Sequence, residues 1–496
     1  MSSLSNTDIE IKDVSDNDGD NDPAVGVHLI TDYSRSVSRS VTPETPNGNH
    51  PTAKPKTPLI CSNKIHASQS TAWLNNNADT TSREKNNDRP NSVHGVTVTF
   101  NDHKSPIDHE DDKLKEAWKS SETSVIMSTA KLGICFVTGI FFGMAIHKGT
   151  VYEPRVIRSQ FIYERFIMVK MFLAAVGFGA LCLALLSVLP FTREPFERAF
   201  KSYAACLPRK GILAVIIGGS LLGAGMVVAG ACPGMVLVQV GAWVGGGSCL
   251  MTLLGCFVAA LAYGLVEPYV AKLIVPKKPY EKQAAMHFVK LPFSVLAIAM
   301  AAVTAVIVFT LEWFFPWKEE LFIPNSPVSW FMQLLAWPPY VAGIIIGAMQ
   351  IPIVLAVGDT LGGSSSYCTI ISQLLCTKSM ESRIPYLAGY KRGIDNWWQV
   401  FYVCGAVFGG CMSALASHSL GSVPGVSLQS SFIGGFLMVF GARIAGGCTS
   451  GHGLSGVGLL MMLSMLAAAA MFAGGTIVGF ICLAMDKANL IDYYTF

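Results

Sequence analysis

The residues best suited to chemistry are three cysteines in glycine- and serine-rich stretches: Cys232 in AGACPGM (229–235), Cys368 in DTLGGSSSYCT (359–369) and Cys448 in FGARIAGGCTSGHGLSG (440–456). A thiol is a weak, polarizable hydrogen-bond donor. The same stretches surround it with hydroxyls and charge: Ser364, Ser365, Ser366, Thr449, Ser450, Arg443 and His452. Pro233, which has no N–H to satisfy, suits the first turn of a new helix. Met235–Trp243 then reads as a short helix whose positive end faces the break, with Gly230 and Gly234 flanking it. Thr449 or Ser450 is expected to cap a second short helix, and Asp359 or Thr360 a third. Exposed N–H groups at helix starts favour an anion. With thiols beside them they suit a soft, sulfur-containing anion better than a hard cation, which calls for carboxylate or carbonyl ligands. No CxxC pair and no zinc-type spacing occurs, so neither a metal nor a cofactor is expected.

These stretches need a scaffold that keeps irregular backbone away from lipid. Gly441, Gly446, Gly447, Gly451, Gly453 and Gly456 crowd one apolar region, and each disfavours helix by about 1 kcal/mol relative to alanine. A broken backbone at membrane depth is tolerated only where protein buries it or it lines a polar cavity. Gly362 and Gly363 mark the same kind of break before Cys368. An arginine at membrane depth is a functional group by default. Arg443 either attracts an anion or pairs with a carboxylate or backbone carbonyls, and His452 contacts substrate, relays protons or satisfies its loop. Glu267 and Glu312 fall near span ends and read as interfacial anchors.

The scaffold is a membrane bundle. Of 496 residues 51% are hydrophobic and 14% charged, against about 25% charged in soluble domains. Nine apolar runs lie near 125–146, 168–190, 211–230, 246–270, 293–316, 338–357, 398–417, 430–446 and 457–484, each near the roughly 20 residues that cross a bilayer. No apolar signal-peptide core precedes them. A net charge of +3 gives no argument for nucleic acid. Residues 1–122 are rich in Ser, Thr, Asn, Asp and Pro, a composition that cannot offset the entropy of ordering, so a disordered cytosolic tail is expected. Its segment 35–46 carries phosphorylation-like Ser/Pro patterns. Lysines and arginines concentrate on one side of the spans, which places the N-terminus in the cytosol and the C-terminus opposite. Cys135, Cys182, Cys256, Cys404, Cys411 and Cys482 lie in apolar runs and read as packing.

Residues 218–236 and 434–452 align without gaps, pairing Gly218 with Gly434, Gly219 with Gly435, Gly225 with Gly441, Gly230 with Gly446 and Cys232 with Cys448. A weaker match joins 148–165 to 359–376. Four spans, a connecting span and four more then give two halves of opposite orientation, an architecture of many secondary transporters. The expected fold is an all-α integral membrane protein with two inverted repeats (123–270 and 338–496), joined by loops and span 5 (271–337). Four re-entrant loops approach the midplane, two from each face. The match of 451–456 to GxGxxG follows no strand and opens no βαβ unit, so it is no dinucleotide site. No GxxxxGK[ST] loop is present, which argues against an ATP-driven pump.

The stretch GARIAGGCTSGHGLSG resembles the signature of the YeeE/YedE family of sulfur-compound transporters, whose characterised members take up thiosulfate. GAGMVVAGACPG, DTLGGSSSYCT and FFGMAIHKGTVYEPRVIRSQF (141–161) resemble that family too, over about 125–484. The resemblance implies nine transmembrane helices, re-entrant short helices with pseudo-twofold symmetry, and loop cysteines that pass thiosulfate along by transient S–H···S hydrogen bonds. Cys232 and Cys448 match the family positions, and Cys368 is the third. The first loop departs from the pattern: 148–170 holds no cysteine but offers Arg155, Arg158, Gln160, Tyr163 and Lys170. The tail points to a eukaryotic member. The resulting expectation is a permease, not an enzyme, for thiosulfate or a related small sulfur anion. It would be competent as a monomer, in the plasma membrane by default, with a cytosolic sulfur-accepting protein as a possible partner. The alternative is a membrane thiol enzyme or carrier that holds sulfur as a persulfide on Cys448, which requires an accessible low-pKa thiolate.

Overall fold

The computed structural model describes residues 106–206, 210–274, 284–322, 330–375 and 377–495. Among them there is no strand, only an isolated bridge between Ala284 and Met461. Nine helices among the described residues are long and apolar enough to cross a membrane: Val125–Lys148, Ile167–Val188, Gly211–Ala229, Val244–Lys272, Phe293–Phe314, Pro339–Val357, Asn396–Ala416, Leu428–Ala445 and Met462–Lys487, here spans 1 to 9. The apolar runs thus become helices where expected, with two differences. Span 9 starts at Met462, not 457, because Thr449–Gly456 winds into a π-helical turn and Leu460 then takes φ +58°. The helix that carries span 1 begins at Pro106, so residues 106–122 of the expected tail are helical; 1–105, with the 35–46 segment, lie outside the described residues.

Side chains on these spans give little amphipathic signal, because lipid and protein neighbours are both apolar. Packing is decided instead by where backbone can approach backbone. Span 1 packs on span 7, span 2 on spans 5 and 6, span 3 on spans 8 and 9, and span 4 on span 8. In the seam between spans 1 and 7, a Cβ at Gly139 would lie 2.0 Å from the Tyr402 carbonyl oxygen and one at Gly143 2.1 Å from that of Ala406. Reciprocally, a Cβ at Gly405 would lie 2.1 Å from the Phe136 oxygen and one at Gly409 2.1 Å from that of Ile140. Each helix therefore presents a small-xxx-small pair, and only glycine fits. Spans 3 and 8 meet the same way, with Gly218 against Gly441 and Gly225 against Gly434.

Span 5 packs chiefly on span 2 and is clasped to it by charge. Lys170 of span 2, fully buried, pairs with Glu320 at 2.7 Å and Glu312 at 3.0 Å and also donates to the Phe315 carbonyl. Glu312 therefore holds an ion pair and also accepts from Trp317 N–H. A buried pair that loses one partner costs about 3–5 kcal/mol, because a charge is left uncompensated. Lys170→Met is expected to lower the melting temperature in detergent by several degrees. Adding Glu312→Gln and Glu320→Gln should restore most of the loss; a single variant as stable as wild type would rule the clasp out.

Candidate functional site

Span 3 ends because Gly230 turns left-handed (φ +58°) and its N–H returns to the Met226 carbonyl, a helix stop that glycine makes without strain. Span 8 ends identically, Gly446 at φ +90° bonding the Ala442 carbonyl. After the first stop come Cys232 and Pro233. The Cys232 carbonyl accepts from Val236 N–H at 3.1 Å, so Pro233 lies in the opening turn of the short helix Met235–Gly241. Gln239 of that helix donates to the Gly230 and Tyr152 carbonyls, both at 2.9 Å. This ties the Cys232 turn to the 148–165 loop. A Cβ on Gly230 would sit 2.4 Å from Pro154, the first residue of the short helix Pro154–Phe161.

After the second stop, Cys448 precedes the π-helical turn, and its carbonyl accepts from His452 N–H at 2.8 Å. Thr449 and Ser450 lie inside this turn and cap nothing, which corrects the expectation of a capped α-helix. Tyr203 donates to the Gly451 carbonyl at 2.8 Å and shares a 3.0 Å bond with Ser464. Ser464 in turn holds His452 Nδ1 at 3.2 Å. The His452 ring covers Gly447, where a Cβ would meet Nε2 at 2.9 Å. Gly453 similarly leaves room for Phe172, whose ring lies 2.7 Å from where its Cβ would be.

The third break follows Gly358, in the left-handed region at φ +71°, and leads into the helix Ser365–Ser372 with Ser364 at its N-cap. Asp359 accepts from Thr360 N–H at 2.8 Å, so neither residue is the cap expected of it. Gln350 and Ser455 lock this break to the second: Gln350 donates to Ser455 at 2.9 Å and accepts from Leu361 N–H at 3.3 Å, while Ser455 donates to the Leu361 carbonyl at 2.7 Å. Gly362 faces the Gly451 Cα, 3.9 Å from its would-be Cβ. Tyr367 reaches across to the first break and donates to the Pro233 carbonyl at 2.6 Å. Beyond this helix, outside the spans, the hydrogen bond from Lys391 holds the Glu381 carboxyl below its ordinary range.

The three cysteine segments therefore converge. Cys232, Cys368 and Cys448 are 8%, 0% and 1% exposed. Ser364, Ser450 and the backbone of Gly363 and Gly451 lie within hydrogen-bonding reach of Cys448; Ser450 Oγ is 3.2 Å from its sulfur. Thr449 and the backbone of Gly234 and Met235 approach Cys232, and Arg443 and Tyr386 approach Cys368. Arg443, 4% exposed, donates to Ser364 and to Ser365 at 3.4 Å. Its Nε has no partner among the described residues, and no described carboxylate pairs with it. Lys210 braces its backbone, donating to the Arg443 carbonyl at 3.1 Å and to Tyr263 at 3.0 Å. A small cavity of about 50 Å³ lies against Cys232, Gly234, Thr449 and Ser450, walled by Phe142 and Phe172.

The polar residues of the first loop are not a free anion site. Arg158 donates to the Val227, Val228 and Tyr493 carbonyls at 2.8–2.9 Å, which satisfies the end of span 3. Lys170 is spent on its carboxylates, and Tyr163 is exposed. Arg155 pairs with Glu153 at 3.6 Å and stacks over Phe322, though its Nε has no partner among the described residues; Gln160 is buried with both amide atoms likewise unpartnered there. Gln239, Gln350, Ser455 and Tyr367 were not singled out in the sequence. A lone amide in an apolar run is the signal that marks the two glutamines.

Among the described residues, nine apolar helices, with interrupted backbone buried between them and thiols, hydroxyls and a guanidinium without a carboxylate partner beside the interruptions, make up a multi-pass membrane protein. The family model described as "Sulphur transport" matches residues 148–477, a stretch that holds all three cysteine segments and the 148–165 loop. The chain belongs to the sulphur transport family. It is 28% identical over 260 residues to the thiosulfate transporter TsuA of Escherichia coli K12, an alignment spanning 49% of this chain and 66% of that protein.

Proposed function

We propose that the chain is a permease for thiosulfate or a related small sulfur-containing anion, which passes unmodified between the Cys232, Cys368 and Cys448 segments. The observation that carries this reading is Arg443: a buried guanidinium beside Cys368 and the Ser364–Ser365 pair, with no described carboxylate to neutralise it. Cation and thiols together suit a soft anion. Ser364, Ser365, Thr449 and Ser450 supply O–H donors, and the loop glycines let the segments approach. His452 is read as part of the wall. The similarity to a thiosulfate transporter supports the same substrate class.

We also propose that spans 1–4 and 6–9 are inverted repeats and that the interrupted segments are re-entrant, with the N-terminus cytosolic. Reciprocal packing supports this. Gly218 faces Gly441 while their sequence counterparts, Gly434 and Gly225, face each other, as a twofold axis between spans 3 and 8 requires.

The test is uptake of radiolabelled thiosulfate into proteoliposomes, wild type against Cys448→Ala, with sulfate as competitor. Saturable uptake that falls at least about tenfold in the variant, the factor given by about 1.4 kcal/mol, and that sulfate barely inhibits, is expected. No uptake by folded wild-type protein, with a persulfide recovered on Cys448, would replace the permease by the covalent carrier.

A further inference from the structure

Tyr402 on span 7 has a buried hydroxyl with no hydrogen-bond partner among the described residues, in a residue only 2% exposed. Leaving such a donor unsatisfied is costly, and buried polar atoms in native proteins are generally paired. The position is not slack. The Tyr402 carbonyl is pinned by the close approach of Gly139, and its ring packs on Phe142 with centroids 5.4 Å apart. Phe142 walls the cavity that touches Cys232 and Thr449. The hydroxyl lies within electrostatic range of the Cys448 and Cys232 thiols. A further donor near the cysteine segments, Arg443 Nε, is likewise unpartnered among the described residues. Tyr367, by contrast, spends its hydroxyl on the Pro233 carbonyl.

We propose that the Tyr402 hydroxyl donates to an oxygen of the transported anion as it passes Cys232 and Cys448, and so selects sulfur anions that carry oxygen over those that do not. The inference rests on the permease reading above and adds to it a division of labour. Thiols, soft donors, address sulfur, while the phenol, a hard donor, addresses an oxyanion group. A tyrosine that only fills space would gain nothing from its hydroxyl, since phenylalanine packs the same ring at no polar cost.

Tyr402→Phe separates these roles. With the purified full chain in proteoliposomes, KM for thiosulfate is expected to rise about tenfold, the loss of one hydrogen bond to a charged acceptor. The inhibition constant of hydrosulfide, which has no oxygen, is expected to stay put, so the ratio of the two moves tenfold. Melting temperature without substrate should stay or rise, because an orphaned donor is removed, while stabilisation by added thiosulfate shrinks. A variant in which the ratio is unchanged, or which melts lower and loses both affinities together, overturns the assignment and leaves the permease intact. Wild-type protein that takes up no thiosulfate overturns the permease reading, and this assignment with it.

Discussion

Arg443→Gln is expected to lower kcat/KM for thiosulfate uptake by about 100-fold while leaving the protein at least as stable as wild type. Glutamine retains hydrogen bonding toward Ser364 and Ser365 but removes the charge. An anion that has left water depends on that charge far more than it would in solution, since attraction between charges grows as the local dielectric falls. Stability should move the other way, because an unpaired buried cation is itself costly. Arg443→Lys keeps the charge but not the planar fork that reaches two serines, so an intermediate loss of about tenfold is expected. Uptake kinetics paired with thermal melts check this. A variant that melts far below wild type would mean that Arg443 holds the fold instead.

Gly409→Leu is expected to abolish recovery of folded protein. A side chain there has only the Ile140 backbone to displace, its oxygen 2.1 Å from the Cβ position. Overpacking that backbone cannot relieve costs about 3 kcal/mol or more. The matched control is Gly133→Leu, where nothing lies within 4 Å of an added Cβ. Size-exclusion profiles after detergent extraction should show a monodisperse peak for Gly133→Leu and none for Gly409→Leu. Equal behaviour of the two would remove the seam as a determinant of the fold.

The sequence disclosed spans and interruptions more readily than neighbours. Run length and composition alone locate nine helices, and the glycines before Cys232, Cys368 and Cys448 locate the breaks, because both are local properties of the chain. Which break touches which is not local. The bond from Tyr367 to Pro233 and the Gln350–Ser455 lock join residues more than a hundred positions apart through side chains that look ordinary in sequence. Arg158 and Lys170, available on the sequence, turn out occupied for a related reason. A basic residue beside a membrane is open to an anion, yet backbone carbonyls at the end of span 3 and carboxylates in and after span 5 had already claimed them. The caps failed at Thr449 because its glycine-rich turn widened into a π-helix, where the usual N-cap geometry does not apply.

The seams have a mechanical consequence. Span 1 is fitted to span 7, span 2 to span 6 and span 3 to span 8, so each of these contacts joins the first four spans to the last four. Swinging one set as a rigid body against the other would have to unzip all these interfaces together, several of them backbone against backbone. Movement is far less costly in the interrupted segments, where a few side chains and turns can shift while the spans stay still. On the permease reading, such a machine would work like a turnstile in a fixed wall: its narrowest point would not relocate, and a solute would be judged at one aperture by whichever donors stand there.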